Sequence, residues 1–367
     1  MIPRSRIEEV AASAAAALGD LSPPEPGTIN RPLIRRLGEV GFLDPIFDLD
    51  GIPAAELCAI RHGLSLVDTE AETAFALQGL GGHPIARSGS ADLVARWVPE
   101  IRSGRAVAAF ALTEPDAGSD AGAIQLAAEP EGEGFRLTGV KTYISNAPDA
   151  DVYTVFARTS PGERAGGVTA FAVDGGADGL TGETIPMINH HPIGRLDFDG
   201  VYVERGALLG EIGGGFRVAM ATLDLFRPSV GAFAVGMAEA ALSIATRHAA
   251  SRRAFGKPIS EFQGVSHQLA DVRTAIEASA LLVYSAAAAL EGGEESATGR
   301  AAMAKLHATE AAQKAVDVAI QVLGARALEA DSRLARLYLE VRAPRIYEGT
   351  SEIQRNIIAR EMFGGRI

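Results

Sequence analysis

The apolar positions of the first hundred residues recur with a helical period. A connector rich in proline, Leu21–Pro32, interrupts that pattern, and Gly79–Gly82 is expected to end the fourth helix. The predicted helices are Ile7–Leu18, Leu33–Gly41, Ile52–Leu66, Thr69–Leu80 and Ala91–Ile101. We therefore predict that residues 1–105 form an N-terminal helical domain.

The pattern changes at about Ala106 and keeps its new form to about Glu204. Short β-branched or aromatic segments alternate there with clusters of Gly, Pro and Asp, and no helical stretch separates them. These segments are Val107–Leu112, Phe135–Lys141, Val152–Arg158, Val168–Val173 and Val201–Val203. Strands joined by turns predict a central antiparallel β-barrel or sandwich, which we assign to residues 106–205.

Helical spacing returns after Gly213-Gly214-Gly215 and continues to the C-terminus. Phe216–Ala249 is predicted as one long helix or as a helix with a kink at Pro228. The further helical stretches are Phe262 to Val283, Ala301–Leu323, Asp331–Leu339 and Glu352–Met362. They predict a C-terminal bundle of four to five helices over residues 206–367. The fold class is thus α+β with several domains.

Composition limits the partners of the chain. Its 367 residues carry a formal net charge of −12, which argues against nucleic acid or an anionic membrane as the main partner. Cys58 is the only cysteine, so neither a disulfide framework nor a cysteine-rich metal site is expected, and adjacent His190 and His191 are not spaced as metal ligands. No signal peptide and no apolar run of about 20 residues is evident. We expect a cytoplasmic protein.

A carboxylate near the C-terminus is the first candidate for chemistry. Glu348 lies between the apolar and aromatic pair Ile346-Tyr347 and the segment Gly349-Thr350-Ser351. Thr350 or Ser351 is a plausible N-cap for the last helix, which places Glu348 on a tight turn at a helix N-terminus. The local pattern alone favours a capped turn over a functional site.

Three further segments combine polar side chains with sharp turns. Phe110–Asp120 ends a strand in a loop of small residues that exposes backbone N–H groups. Lys141–Asn146 places an aromatic ring and a hydroxyl on the same side of a strand. Ser251–Pro258 carries paired arginines before an aromatic residue and Gly-Lys-Pro, which fits a phosphate-binding turn. Each segment also fits an ordinary turn, strand end or helix end.

Together these segments resemble the acyl-CoA dehydrogenase family from about Leu33 to Gly364. The motifs occur in the order of the family and with its spacing, including the distance from Gln321 to Glu348. They are Phe110–Asp120, Tyr143–Asn146, Arg252–Pro258 with Gln263, Gln321–Gly324 and Ile346–Arg355.

The resemblance implies FAD as cofactor and the removal of two hydrogens from an acyl thioester. Glu348 matches the catalytic base that abstracts the α-proton, while the β-hydrogen leaves as hydride to flavin N5. The backbone N–H of the same residue and a flavin ribityl hydroxyl would bind the thioester oxygen. Some members carry the base on an earlier helix, where this chain has Phe226, so Glu348 is the only candidate.

The resemblance also assigns binding residues. The positions that match FAD contacts are Leu112, Thr113, Tyr143, Ile144, Ser145, Arg252, Ala254, Phe262, Gln263, Gln321, Gly324, Ala325, Thr350, Ser351 and Glu352. Those that match contacts to the acyl and pantetheine groups are Ser119, Asp224, Arg227 and Gly349. The chain departs from the common pattern with Tyr143 for tryptophan, Ser145 for threonine, Glu352 for glutamine and Ala325 for glycine.

The implied partners are an acyl-CoA or acyl-carrier-protein thioester and an electron-transferring flavoprotein. A homotetramer or homodimer is expected, because the arginine segment usually serves the FAD of a neighbouring subunit in this family. Three alternatives remain at this point. They are an acyl-thioester oxidase on the same scaffold, a flavin-bearing binding protein with vestigial activity, and a helical bundle without cofactor.

Overall fold

A computed structural model describes residues 2–19, 21, 24–48, 51–161, 165–189 and 191–364. The chain forms two compact units. One consists of Met1–Ala16, Pro53–Glu72 and Asp224–Ile367, and the other of Ala17–Ile52 and Thr73–Leu223. The division into three domains stays a prediction, and His190 of the expected non-metal pair lies outside the described residues.

The predicted N-terminal helices are all present. They are α1 (Arg4–Leu18), α2 (Arg31–Glu39), α3 (Ala54–Val67), α4 (Thr69–Ser88) and α5 (Ala91–Arg102). Polar caps fix two of their starts: the Asn30 side chain accepts the Leu33 N–H at 3.1 Å, and the Ser90 hydroxyl accepts the Leu93 N–H at 3.3 Å.

Helix α4 does not end at Gly79–Gly82, so that part of the prediction is wrong. The helix continues through Pro84 to Ser88. A Cβ atom on Gly81 would lie 2.5 Å from the backbone nitrogen of Ala109, so this glycine permits a strand to approach the helix closely. Thr154 adds a hydrogen bond from its hydroxyl to the Gly81 carbonyl at 2.8 Å. Gly81 therefore permits close packing and does not end the helix.

The central strands form one seven-stranded mixed sheet in the order β1-β4-β2-β3-β7-β6, with β5 on β4. Their bounds are β1 (Ala108–Ala111), β2 (Ala127–Glu131), β3 (Gly134–Ser145), β4 (Val152–Arg158), β5 (Val168–Asp174), β6 (Leu180–Thr184) and β7 (Ile193–Glu204). The expectation of an antiparallel sheet needs one correction, because β1 and β2 both run parallel to β4. The segment between β1 and β4 contains the β2–β3 hairpin, which makes a parallel return possible.

A buried ion pair lies inside the sheet unit. Lys141 of β3 is fully buried, and its ammonium donates to the Glu114 carboxylate at 2.8 Å and to the Leu112 carbonyl at 2.9 Å. Glu114 also accepts the backbone N–H groups of Gln125 and Leu126. Burial lowers the pKa of Lys141 to about 8 in spite of the attraction of Glu114.

The C-terminal helices are α6 (Gly215–Ser251), α7 (Gln263–Glu291), α8 (Ala297–Leu323), α9 (Arg333–Glu340) and α10 (Ser351–Met362). Helix α6 passes through Pro228 as one element. Small side chains of α6, α7 and α8 form a common core with α3, in which alanine predominates. A Cβ atom on Gly231 would meet the Val283 side chain at 2.7 Å, which shows how closely α6 and α7 pack. The predicted helical bundle and the fold class are confirmed.

Helices α6 and α7 are long and apolar enough to cross a membrane by length and composition alone. Buried residues of both helices, such as Phe233 and Val283, belong to the core of the bundle. That placement is the one expected for the core helices of a globular bundle, so length and composition here are weak evidence for a membrane span.

Replacement of Lys141 by Met tests the buried pair. We expect Lys141→Met to lower the free energy of unfolding by about 3 kcal/mol, because the Glu114 charge stays buried without its cation. Denaturant titration of the variant beside Lys314→Met, which alters an exposed lysine, measures the difference. A Lys141→Met variant within about 0.5 kcal/mol of this control would contradict the assigned role.

Candidate active site

Glu348 lies on a left-handed turn immediately before α10. Its φ is 51°, and Gly349 follows with a φ of 88°. A non-glycine residue in this region costs about 1–2 kcal/mol and persists only where its surroundings hold it. Thr350 is the N-cap, since its hydroxyl accepts the Ile353 N–H at 3.3 Å. The neighbouring Ser351 is buried and donates to Glu310 at 2.8 Å.

Three consecutive carbonyl groups of this turn are held by two buried side chains. The Lys305 ammonium on α8 donates to the carbonyls of Tyr347 at 2.9 Å and Gly349 at 2.6 Å. The Gln354 amide on α10 donates to the carbonyls of Glu348 at 3.2 Å and Gly349 at 2.9 Å. The turn is therefore tied to two helices through its backbone.

One oxygen of the Glu348 carboxylate is available to accept a proton. Within the described part of the chain, its buried Oε2 atom has no hydrogen-bond partner. Burial raises the pKa of Glu348 above its ordinary value of 4.5, and the positive charges of Arg61, Lys305 and Arg227 oppose that rise. A buried carboxylate with a raised pKa and a free oxygen has the properties of a general base.

Arg61 of α3 is a fully buried cation in the same unit. Its guanidinium pairs with Glu72 and donates to the Ser229 hydroxyl at 2.8 Å. Burial alone would lower the pKa of Arg61, but the charges of Glu72 and Glu348 keep this pKa above its ordinary value. A fixed positive charge thus acts on Glu348.

The residues matched to acyl and pantetheine contacts lie on helix α6, on the loop after β1 and on the turn before α10, where Gly349 follows Glu348. On α6, Arg227 is buried and donates to Asp224 at 2.5 Å, and its Nε atom has no partner among the described residues. Phe226 between them is fully buried in this unit and has no ionisable group. Ser119 lies on the exposed loop after β1, in the sheet unit.

In the sheet unit, the two segments matched to flavin contacts lie together. The Thr142 N–H donates to the Thr113 carbonyl at 3.0 Å, and Lys141 holds the carbonyl of Leu112. Tyr143 has a φ of 54° and is 61% exposed, so its ring is free to cover a planar group. The Ile144 side chain is buried in the core of the sheet. Ser145 is half-buried at the end of β3.

The other positions matched to FAD lie mostly at the surface of the helical unit. A hairpin of β8 (Arg253–Ala254) and β9 (Lys257–Pro258) follows α6 and presents Phe255 with 95% exposure. Lys257 lies 4.4 Å from the centre of the Phe262 ring. The exposed members of the set are Arg252, Gln263, Gln321, Gly324, Ala325 and Glu352.

Left-handed backbone coincides with these motifs. Among the described residues, the non-glycine positions with positive φ are Tyr143, Asn146, Phe255 and Glu348. Each belongs to a segment that the sequence singles out. Strain of this kind concentrates at binding and catalytic sites, because ordinary packing does not require it.

The chain matches two family models, the acyl-CoA dehydrogenase middle domain over residues 109–201 and the C-terminal domain over residues 213–363. A cyclohexane-1-carbonyl-CoA dehydrogenase from Geobacter metallireducens is 34% identical, over 98% of this chain and 94% of that protein. The chain belongs to the acyl-CoA dehydrogenase family. Its members are oxidoreductases that act on CH–CH bonds, and FAD is their cofactor.

Solved structures agree with this assignment. Butyryl-CoA dehydrogenase from Megasphaera elsdenii has a TM-score of 0.88 at 30% identity and covers 98% of this chain and 96% of its own. A structure from work on the electron transferring flavoprotein of Acidaminococcus fermentans has a TM-score of 0.89 at 31% identity, with 97% of both chains covered.

The residues of this chain fit FAD in chemical type. Tyr143 offers an exposed ring and follows Thr142, whose N–H donates to the Thr113 carbonyl. The positions after α6 offer Arg252 and the exposed Phe255. An exposed aromatic face suits the isoalloxazine or adenine ring, and a guanidinium suits the pyrophosphate.

Arg61 and Lys305 are site residues that the sequence did not predict. Both lie on apolar faces of their helices: Lys305 follows Ala301 and Ala304 and precedes Ala308, all buried. A single basic residue at a core position was the available signal, because a buried charge requires a partner. The partners themselves are distant in sequence and carry no local pattern.

The pH dependence of activity tests the environment of Glu348. A base must be unprotonated, so activity is lost as the pH falls through the pKa of this carboxyl, which burial raises. We expect the acid limb of the profile of kcat/KM to have its midpoint above 4.5. A midpoint at or below 4.5, with Trp97 fluorescence showing a folded protein, would contradict the raised pKa.

Proposed function

We propose that this protein dehydrogenates an acyl-CoA thioester between the α and β carbons, with Glu348 as the base that removes the α-proton. The backbone N–H of Glu348 binds the thioester oxygen as negative charge develops on it. FAD, when bound, supplies the acceptor for the β-hydride at flavin N5. The other residues of the turn hold the carboxylate and the N–H toward the same reacting group.

The observation that carries this proposal is the free Oε2 atom of Glu348 on a strained, tightly held turn. An α-proton beside a thioester is too weakly acidic for a solvated carboxylate. Desolvation makes the carboxylate more basic, and a fixed N–H donor stabilises the enolate oxygen. The positive charges of Arg61 and Lys305 oppose that rise in pKa and favour the ionised carboxylate, which is the form that accepts a proton. Desolvation and the N–H donor thus lower the main barrier of the reaction, which is removal of the α-proton.

Replacement of the base tests this role. We expect Glu348→Gln to keep bound FAD, because the amide has nearly the same shape, and to lower the rate of flavin reduction by an acyl-CoA at least about 100-fold. Anaerobic stopped-flow absorbance measures this rate. Glu329→Gln, which changes an exposed glutamate, is the control and should react like the wild type.

A Glu348→Gln variant that reduces its flavin at nearly the wild-type rate would exclude Glu348 as the base. A variant without bound FAD would show instead that the carboxylate has a structural role in the cofactor site.

The acyl group and its carrier are separate questions. Relatives named for cyclohexane-1-carbonyl-CoA and butyryl-CoA make compact acyl groups the first candidates. Bleaching of the flavin absorbance with a panel of CoA thioesters, each compared with the same acyl group on an acyl-carrier protein, would identify both.

We propose that an electron-transferring flavoprotein accepts the electrons. A similar solved structure comes from work on such a flavoprotein. The substrate-reduced protein should then reoxidise slowly in air and rapidly after addition of that carrier, as followed by stopped-flow absorbance. Fast turnover in air without a carrier would identify an oxidase instead.

We also propose a homotetramer or homodimer in the cytoplasm. The hairpin with Phe255 supports an assembly, since an aromatic side chain with 95% exposure suits a cofactor bound by a neighbouring subunit. Light scattering of the FAD-loaded protein gives the subunit number, and a monomer that retains FAD would exclude the shared site.

A further inference from the structure

Lys305 is a buried cation whose hydrogen bonds go to the backbone on both sides of Glu348. The side chain is fully buried in α8, where its buried neighbours one turn away are Ala301, Ala302, Ala308 and Thr309. Its ammonium contacts the carbonyls of Tyr347 and Gly349 at 2.9 and 2.6 Å. Burial of an ammonium is costly, so its place in an alanine-rich core needs a compensating role.

The bond to Tyr347 determines where the Glu348 N–H points. In a trans peptide the C=O and the following N–H point in opposite directions. Since Lys305 holds the Tyr347 carbonyl, the Glu348 N–H is directed away from the ammonium. Among the described residues, this N–H has no hydrogen-bond acceptor. It is fixed in direction and still free to bind a ligand oxygen.

The peptide on the other side of Glu348 is held by Gln354, which donates to the Glu348 carbonyl. Lys305 and Gln354 share the Gly349 carbonyl, one residue further along the turn. A rotation of either peptide next to Glu348 would break at least one hydrogen bond to a fully buried donor. The left-handed φ of 51° is thereby held, and with it the direction of the Cα–Cβ bond that carries the carboxylate.

We propose that Lys305 is a positioning residue for the dehydrogenation: it orients the Glu348 carboxylate toward the α-proton and the Glu348 N–H toward the thioester oxygen. This inference rests on the proposed function of Glu348. Its physical basis is pre-organisation, since a donor and a base already in place need not reorganise as charge develops. Gln354 contributes to the same arrangement from α10.

The test separates proton removal from hydride transfer. A 3-thia-acyl-CoA carries sulfur in place of the β-carbon, so it can lose its α-proton but has no β-hydride to transfer. In D2O, Glu348 takes the α-proton and a deuteron returns to the same carbon. NMR follows this exchange at saturating ligand in the FAD-loaded protein.

We expect Lys305→Met, which removes the ammonium but keeps the length of the side chain, to slow the exchange about 10- to 100-fold. Bound FAD and the Kd of the thioester should change little. Lys314→Met on the exposed face of α8 is the matched control. Gln354→Met tests the same turn independently and should slow the exchange in the same direction, even where Lys305→Met fails to fold.

The outcomes distinguish this inference from the proposed function. Exchange at the wild-type rate in both Lys305→Met and Gln354→Met, with no exchange in Glu348→Gln, would overturn the positioning role and leave Glu348 as the base. Weaker thioester binding with an unchanged rate at saturation would also overturn it. Wild-type exchange in Glu348→Gln would instead refute the proposed function itself.

Discussion

The hydrogen bonds from Lys305 to the carbonyls of Tyr347 and Gly349 hold the turn on which the proposed chemistry depends. The left-handed conformation of Glu348 costs about 1–2 kcal/mol. Two hydrogen bonds from a charged donor hold that conformation, although burial of the ammonium has its own cost and lowers the pKa of Lys305 to about 8. A base and an oxyanion donor on one residue can then share one rigid support.

In the sheet unit, a second buried lysine donates a hydrogen bond to the backbone of another motif. Lys141 is fully buried and donates to the carbonyl of Leu112, a position matched to the flavin ring. Its charge is balanced by Glu114, which also accepts two backbone N–H groups of the following loop. In both units a buried ammonium anchors a backbone segment at a motif that matches the family. Among the described residues, Glu348 keeps a carboxylate oxygen without a partner, and the Tyr143 ring is exposed.

The helical period of apolar residues predicted the long helices well. The predicted end of α4 was wrong, because contacts with distant residues determine where this helix ends. The helices around Ala232 and Val283 follow from apolar spacing, whereas α4 passes through Gly81 because a strand lies against it. Strand β6 was missed because its residues are exposed and polar, with little alternation.

The candidate site shows the same limit. Glu348 could be found because its neighbours form a contiguous motif that resembles a known family. Arg61 and Lys305 could not, because their partners are a distant carboxylate and two distant carbonyl groups. Hydrogen bonds to backbone carbonyls place no requirement on the identity of the residue that supplies the carbonyl. Such contacts therefore leave no pattern in a single sequence.

The position of Glu348 can be observed in a crystal structure of the protein with FAD and a 3-thia-acyl-CoA. Glu348 should keep its left-handed φ, with its carboxylate at the α-carbon and its N–H on the thioester oxygen. Lys305 should remain on the carbonyls of Tyr347 and Gly349. A Glu348 carboxylate turned away from the α-carbon, or a Lys305 ammonium bonded to the thioester oxygen itself, would contradict it.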